Sequence, residues 1–239
     1  MTTYNHDIFQ RTELLVGEPA LRRIVEARVI IFGVGGVGSW CAETLVRSGI
    51  HHMTMVDSDE VVASNINRQL MANTATIGQP KVEVLRQRLQ TINPDAQIHV
   101  VCGRYNAGTA ANFRLDEYDY VIDAIDSLND KALLINTVTS TEKVHLFSSM
   151  GAARKLDPSK IKIAEFGKVT GDPLARTLRH KFKQLGQFPK RKFLCVYSDE
   201  ILPNAYPSPD NANGTMVHIT AIFGNMLASL VLTNICQNA

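Results

Sequence analysis

The stretch that decides the fold reads Val29-Ile-Ile-Phe-Gly-Val-Gly-Gly-Val-Gly-Ser39, an apolar run that breaks into glycines. A helix-compatible segment, Ser39 to Ser48, follows it. Strand, glycine turn and helix in this order are the context that the GxGxxG motif requires. The glycines let the backbone approach a phosphate closely, and amides at the start of the helix can bind its oxygens. The predicted phosphate-binding turn contains Gly33, Gly35, Gly36 and Gly38.

Short apolar runs alternate with helical patterns through the first 150 residues. The predicted strands after Val29 to Phe32 are Met53 to Val56, Gln97 to Val101, Tyr120 to Ala124 and Val144 to Ser148. The predicted helices after the glycine turn are Pro80 to Gln90 and Lys131 to Ser140. This alternation predicts an α/β fold, Rossmann-like, with a mostly parallel sheet and helices on both of its faces.

The pattern changes after Gly151. Lys160 to Phe166 alternates polar and apolar residues, as a strand with one exposed face does. A predicted helix, Leu174 to Leu185, and a predicted strand, Phe193 to Tyr197, precede an irregular loop from Leu202 to Gly214. We expect the C-terminal half to extend the same sheet with antiparallel strands.

Composition excludes several classes of protein. The 239 residues include 25 Lys plus Arg and 23 Asp plus Glu, and the net charge of +2 argues against binding by bulk charge alone. With 45% hydrophobic and 20% charged residues, the chain is neither collagen-like nor disordered. No linker or repeat divides it, so residues 1–239 are predicted to form one domain. Its nucleotide-binding part spans about 5–150, and a substrate-side extension spans about 151–239.

The cysteines indicate a reducing compartment. They are scattered and never form a CxxC pair, so neither a disulfide framework nor a zinc site is predicted. Met1 to Arg11 lacks the features of a secretory signal, and we expect a cytoplasmic protein. Met216 to Ile235 is long and apolar but contains polar residues, which favours a core or interface helix over a membrane anchor. The cysteines are Cys41, Cys102, Cys195 and Cys236.

Charged residues beyond the glycine turn distinguish between two kinds of nucleotide enzyme. Asp57 ends the second strand, where a carboxylate can accept hydrogen bonds from ribose hydroxyls. A dehydrogenase has no evident need for Arg68 and Lys81, because it has no leaving pyrophosphate to neutralise. A nucleotidyl-transfer enzyme can use both on triphosphate oxygens, and Asp126 can hold a magnesium ion. The pattern favours nucleotidyl transfer over an NAD-dependent oxidoreductase.

The motifs resemble the adenylating domain of the ubiquitin-activating-enzyme superfamily, including its ThiF-type members, over about residues 5–150. Members activate a carboxylate with ATP, forming an acyl adenylate and pyrophosphate. The resemblance implies catalytic roles for Arg68, Lys81 and Asp126, with Asp126 the Mg²⁺ ligand. It also implies that Arg11 reaches the triphosphate of a partner subunit, and hence a homodimer. The motifs are GxGGxGS, Asp57-x-Asp59, Ser64-Asn-x-Asn-Arg-Gln69, Gly78-Gln-Pro-Lys81, Ile92-Asn-Pro94 and Asp123-Ala-Ile-Asp126. The implied ATP contacts beside the turn glycines are Asp57, Asp59, Ser64, Asn65, Asn67, Arg68, Lys81, Asp126 and Ser127.

Within that superfamily, the sulfur-carrier activators typically carry two zinc-binding CxxC pairs, which this chain lacks. From Asp123 onward it is similar to the bacterial tRNA threonylcarbamoyladenosine dehydratases. That resemblance implies that ATP activates the carboxylate of threonylcarbamoyl-adenosine in tRNA, and that an internal atom displaces AMP to close an oxazolone. The alternative is an activator of a ubiquitin-like or sulfur-carrier protein, and a sulfur-transfer protein stays open as a partner. The shared motifs are Asp123 to Ser127, Gly151, Leu156 to Pro158, Asp172 to Ala175 and Cys195 to Glu200.

Cys195 has two interpretations. Related enzymes that form thioesters use a cysteine in the corresponding half, and basic residues nearby could lower the pKa of its thiol. Alternatively, Cys195 is a small buried hydrophobe in a strand.

A basic stretch is a candidate tRNA surface. Between Pro173 and Ser198 there is no acidic residue, and the rest of the chain has 18 basic and 23 acidic residues. Such a stretch is available to tRNA phosphates, although a solvated helix face has the same composition. The basic residues are Arg176, Arg179, Lys181, Lys183, Lys190, Arg191 and Lys192.

Overall fold

The computed structural model describes residues 4–207 and 212–237, and within them seven strands form one sheet. The strands are β1 (Arg28–Phe32), β2 (His52–Asp57), β3 (Gln97–Cys102), β4 (Tyr120–Asp123), β5 (His145–Ser149), β6 (Ile161–Glu165) and β7 (Leu194–Ser198). Their order across the sheet is β3-β2-β1-β4-β5-β7-β6. Neighbouring strands are parallel except β6 and β7, which are antiparallel.

The predicted α/β fold is therefore confirmed. In its C-terminal extension, only one of the two added strands, β6, runs antiparallel to the rest of the sheet. Strand β7 runs parallel to β5, with Ser148 paired to Cys195. Only the edge strand β6 reverses direction, pairing Ala164 with Cys195. Antiparallel pairing between the strands of this sheet is thus confined to the last two, β7 and β6.

Helices cover both faces of the sheet. They are α1 (His6–Val16), α2 (Glu18–Glu26), α3 (Gly38–Arg47), α4 (Lys81–Ile92), α5 (Leu128–Ser140), α6 (Pro173–Leu185) and α7 (Val217–Gln237). One buried cluster lies under α3, α4 and α7, and a second lies under α5 and α6. The patterns predicted every helix except α1 and α2, whose buried residues Phe9, Leu21 and Val25 form a third cluster. The two core clusters fix the sheet between its helices.

Helix α7 is long and apolar enough to cross a membrane by length and composition. Here its inner face, with Ile219, Phe223 and Leu227, belongs to the core under α3. Gly224 allows close contact, because a Cβ there would lie 2.5 Å from the carbonyl oxygen of Val37. The helix thus packs as the predicted core helix, with its other side partly exposed. Residues 208–211 of the loop predicted before it lie outside the described residues.

Candidate functional site

A cavity of about 610 Å³ opens at the carboxyl ends of β1, β2, β4 and β5. Strand β1 has β2 on one side and β4 on the other, so the chain leaves the sheet in opposite directions at this point. Open α/β sheets bind their ligands in the crevice at such a switch point. The cavity is lined by the glycine turn, the segment after β2, the β4–α5 loop and residues 149–153 after β5.

The glycine turn adopts a conformation that other residues cannot take without strain. Gly33 has a φ of +85°, and a Cβ there would lie 2.6 Å from the carbonyl oxygen of Ala124. Gly35 and Gly36 line the cavity, whereas Gly38 begins α3 and packs against the carbonyl of Gly33. The turn therefore brings backbone amides and the start of α3 to the cavity, an arrangement suited to phosphate oxygens.

Asp57 joins the turn to the segment that follows β2. Its Oδ2 accepts a hydrogen bond of 2.8 Å from the amide of Val34, and its Oδ1 accepts one of 2.9 Å from the amide of Asp59. Each carboxylate oxygen has a second lone pair, so Asp57 can still accept from ribose hydroxyls in the cavity that it lines.

Two cationic side chains reach the cavity from different segments. The Nζ of Lys81, at the start of α4, lies 2.7 Å from Oδ2 of Asp59, and its side chain is buried. The guanidinium of Arg68 donates to the carbonyl of Ser64 and to Oδ1 of Asn67, at 2.8 and 3.0 Å. Both cations line the cavity, where they can bear on phosphate oxygens.

Asp126 and Ser127 line the opposite wall, on the β4–α5 loop. Asp126 is exposed to the cavity, and its carboxylate has no hydrogen bond or ion pair within the part of the chain described. A single unpaired carboxylate suits Mg²⁺, which keeps several waters and takes few protein ligands.

A buried ion pair between Asp123 and Lys131 fixes the β4–α5 loop. Lys131 and Asp123 have fully buried side chains, and their charged atoms Nζ and Oδ2 are 2.8 Å apart. Lys131 also donates to the carbonyl of Ile125 at 3.1 Å, while Asp123 accepts from the amide of Ile125 and from the hydroxyl of Ser148. The pair therefore fixes residues 124–127 against both β5 and α5.

The sequence motifs did not single out Lys131 or a second pair, Arg104 and Asp130. Arg104 follows β3 and lines the cavity, and its Nε lies 2.6 Å from Oδ2 of Asp130 in the first turn of α5. That hydrogen bond raises the pKa of Arg104, and the charge of Asp130 raises it further. The one feature of the sequence that could have indicated Arg104 as a site residue is its position just after a predicted strand.

Besides Gly38, which packs within the glycine turn, and Cys195, four predicted site residues lie outside the cavity lining. Ser64 and Asn67 hold Arg68, and Asn67 donates to the carbonyl of Thr215 at 3.1 Å. The side chain of Asn65 is buried and accepts from the amide of Val62, so it shapes the segment before Arg68. Arg11 is exposed on α1, outside the cavity of its own chain.

Cys195 is the second residue of β7, fully buried and outside the cavity lining. Burial raises the pKa of its thiol far above the usual range, which disfavours the thiolate that a nucleophile requires. The basic residues expected to lower that pKa lie before the strand: Lys190, Arg191 and Lys192. The geometry favours the interpretation of Cys195 as a small buried hydrophobe.

Three of the seven basic residues between 173 and 198 have structural contacts. Arg179 lies 5.7 Å from the ring centre of Phe166 and donates to backbone carbonyls, and Lys192 pairs with Glu165 at 3.3 Å. Arg191 donates to four carbonyls at the end of α5 and just beyond it. The side chains without a partner among the described residues are Arg176, Lys181, Lys183 and Lys190.

Taken together, the glycine turn, the carboxylate at the end of β2 and the cations Arg68 and Lys81 define an α/β protein with a cavity suited to a nucleotide at the switch point of its sheet. The ThiF family model matches residues 9–239, and the chain belongs to the ThiF family.

Similar proteins match this chain over most of its length. The tRNA threonylcarbamoyladenosine dehydratase of Haemophilus influenzae is 36% identical over 233 residues, covering 91% of this chain and 89% of that protein. The Bacillus subtilis dehydratase is 39% identical over 192 residues, covering 80% and 74%. The solved Escherichia coli dehydratase in complex with ATP has a TM-score of 0.89 at 35% identity, covering 98% and 95%.

These matches confirm the resemblance drawn from the motifs. The chain is a homologue of ATP-dependent enzymes that modify tRNA, and its similarity to them extends well beyond the nucleotide-binding half. The E. coli relative binds ATP in its crystal structure.

Replacing Lys131 by Met should destabilise the protein strongly. The substitution leaves the buried carboxylate of Asp123 without its cation, a change that costs about 3–5 kcal/mol. Urea unfolding would measure the loss. The double variant Asp123→Asn/Lys131→Met should recover part of it, and Lys162→Met, which breaks an exposed pair with Asp199, should have little effect. Equal effects of Lys131→Met and Lys162→Met would contradict this assignment.

Proposed function

We propose that this chain uses ATP to adenylate the carboxylate of threonylcarbamoyl-adenosine in tRNA and to cyclise it to an oxazolone, releasing AMP and pyrophosphate. One observation carries the proposal: the cavity brings together the glycine turn, Asp57, Arg68, Lys81 and Asp126 in a chain homologous to these dehydratases over nearly its whole length.

The proposed reaction has two steps. A carboxylate oxygen of the substrate attacks the α-phosphorus of ATP, and pyrophosphate leaves with the electron pair of the broken P–O bond. The carbamoyl oxygen then attacks the activated carbonyl carbon, AMP leaves with the former carboxylate oxygen, and the carbamoyl nitrogen loses a proton. Because the second nucleophile belongs to the same side chain, it acts at a high effective concentration and needs little further machinery.

The residues of the cavity act mainly on charge. Asp57 orients the ribose, and the glycine turn binds phosphate oxygens with its amides. Arg68 and Lys81 stabilise the negative charge that develops on the leaving pyrophosphate. Binding of ATP would draw Lys81 from Asp59, which is exposed and can be solvated in its place.

The charge of the cavity supports a role for magnesium and for a second subunit. Among its lining residues are four carboxylates, Asp57, Asp59, Asp126 and Asp130, and three cations. Such a wall has a formal excess of one negative charge and would repel a triphosphate. Asp126 would hold Mg²⁺, which would supply positive charge to offset the negative charge of the phosphates.

Arg11 would supply the remaining charge from a homodimer partner. It is exposed on α1 and lies outside the cavity of its own chain. The same helix exposes Leu14 and Leu15, at 82% and 86% of their surface, which is apolar area that a second copy could cover. We propose that α1 of each subunit brings Arg11 to the cavity of the other.

The tRNA would lie along α6. Leu174, in the first turn of α6, lines the cavity, and Lys183 lies about 14 Å further along the helix. Unpaired Lys181, Lys183 and Lys190 would contact tRNA phosphates while the modified nucleoside occupies the cavity. We further propose a cytoplasmic location, where the four free cysteines stay reduced. A sulfur-transfer protein remains an open partner.

Pyrophosphate exchange tests the reaction. With radiolabelled pyrophosphate, we expect the enzyme to return label to ATP only when tRNA carrying threonylcarbamoyl-adenosine is present. Arg68→Ala should lower exchange by about 100-fold or more, because a preorganised charge is lost. The control Arg86→Ala, which removes a cation paired with Glu83 outside the cavity, should retain it.

Other outcomes of this assay would overturn the proposal. Exchange that requires a protein ending in two glycines would show an activator of a ubiquitin-like or sulfur-carrier protein. Binding of NADH without any hydrolysis of ATP would show an oxidoreductase.

Mixing two inactive variants tests the role of Arg11. Arg11→Ala and Arg68→Ala enzymes should each be inactive as homodimers. After co-refolding, each mixed dimer has one cavity with both arginines, so random pairing should restore about a quarter of wild-type activity. No recovery in mixtures shown to contain the heterodimer would show that Arg11 does not act in the cavity of the partner subunit.

Charge reversal tests the tRNA surface. Lys181→Glu/Lys183→Glu should weaken tRNA binding and reduce the salt slope by up to about 2, since each Lys contacts a phosphate. Affinity for ATP should stay nearly unchanged. Arg22→Glu, an exposed change on α2, serves as the control. Unaltered tRNA binding by the double variant would place the tRNA on another surface.

A further inference from the structure

Arg104 is a cation of the cavity wall that the proposed reaction does not use. Its side chain is 58% exposed, yet its position is fixed from two sides. Its Nε is 2.6 Å from Oδ2 of Asp130, and its backbone carbonyl accepts a hydrogen bond from the hydroxyl of Thr109. Asp130 is in turn 12% exposed in the first turn of α5, where a carboxylate is favoured by the helix dipole.

The backbone places Arg104 next to Asp57, the predicted ribose carboxylate. Cys102 pairs with Asp57 in the parallel ladder of β2 and β3, and the amide of Gly103 donates to the carbonyl of Asp57 at 3.1 Å. Arg104 is the next residue. In the proposed ATP site it therefore lies at the adenosine end, whereas Arg68 and Lys81 reach the cavity from other segments.

The hydrogen bond to Asp130 uses only Nε of the guanidinium. The two terminal nitrogens have no hydrogen-bond partner among the residues described, and more than half of the side chain is exposed. A guanidinium is planar and weakly hydrated, so it stacks well on aromatic rings, which a lysine ammonium cannot do in the same way. Tyr105, the next residue, is buried against Phe32 and Phe113, which leaves Arg104 as the exposed planar group here.

We propose that Arg104, held flat by Asp130, packs against the adenine base of the bound nucleotide. Arg104 would be a nucleotide-binding residue and Asp130 a positioning residue that acts through it. This inference rests on the proposed ATP site, since it names the contact that the same cavity makes with the base. A salt bridge of Arg104 to the triphosphate or to the substrate carboxylate is the competing outcome.

Two probes separate these outcomes: ATP, and inorganic tripolyphosphate, which has no base. Binding of each would be measured by calorimetry for wild type, Arg104→Gln, Arg104→Lys and Asp130→Asn. Loss of a cation stacked on a base should weaken ATP binding about 5- to 30-fold in both Arg104 variants, with tripolyphosphate affinity unchanged. Asp130→Asn should have a smaller effect in the same direction, because it loosens the guanidinium without removing it.

Arg86→Gln is the matched control, because Arg86 is tethered through Nε to Glu83 on α4, outside the cavity, and it should bind both probes as wild type does. The inference would be overturned if the Arg104 variants lost ATP and tripolyphosphate affinity equally, or if they bound ATP within two-fold of wild type. Rescue by Arg104→Lys would also overturn it, since a lysine restores charge and not stacking. If wild type bound no ATP at all, the proposed function itself would fail.

Discussion

The site depends on the buried ion pair between Asp123 and Lys131. Asp123 is the last residue of β4, and its carboxylate pairs with the ammonium of Lys131 on α5 and accepts a hydrogen bond from the amide of Ile125. The loop that follows therefore packs against the glycine turn. The carbonyl of Ala124 lies so close to Gly33 that a Cβ atom at this position would clash with it. One buried ion pair thus holds together the two walls of the cavity, the turn after β1 and the loop that presents Asp126.

The same cavity is electrostatically incomplete in a single chain. Carboxylates outnumber cations along its lining, and Lys81 is already paired with Asp59. A site with this balance binds a triphosphate well only when further positive charge arrives with it. Under the proposed function, a magnesium ion and the α1 helix of a partner subunit would bring that charge, and nucleotide binding, metal binding and subunit pairing would depend on one another. Activity would then require the assembled enzyme.

Local sequence patterns were enough to predict the succession of strands and helices along the chain from β1 onward. They also predicted the glycine turn, because strand, turn and helix are adjacent in sequence. The chemistry of a triphosphate first indicated Arg68, Lys81 and Asp126, and the resemblance gave them catalytic roles. The pairs made by Lys131 and Arg104 could not be predicted in the same way, because Arg104 and Asp130 are 26 residues apart and meet only through the crossing of the chain over the sheet. The burial of Cys195 likewise depends on two other elements, because β6 pairs with its strand and α6 belongs to the same buried cluster. The sequence pattern predicts both elements but not where they lie in the fold.

Transfer of oxygen from the substrate to AMP is the most direct test of adenylation. The substrate would be tRNA whose threonylcarbamoyl carboxylate contains oxygen-18, and the products of one turnover with ATP would be examined by mass spectrometry. If the carboxylate attacks the α-phosphorus, one labelled oxygen must appear in AMP, and the cyclised nucleoside must retain the other. Label in inorganic phosphate together with formation of ADP, or unlabelled AMP, would contradict the account.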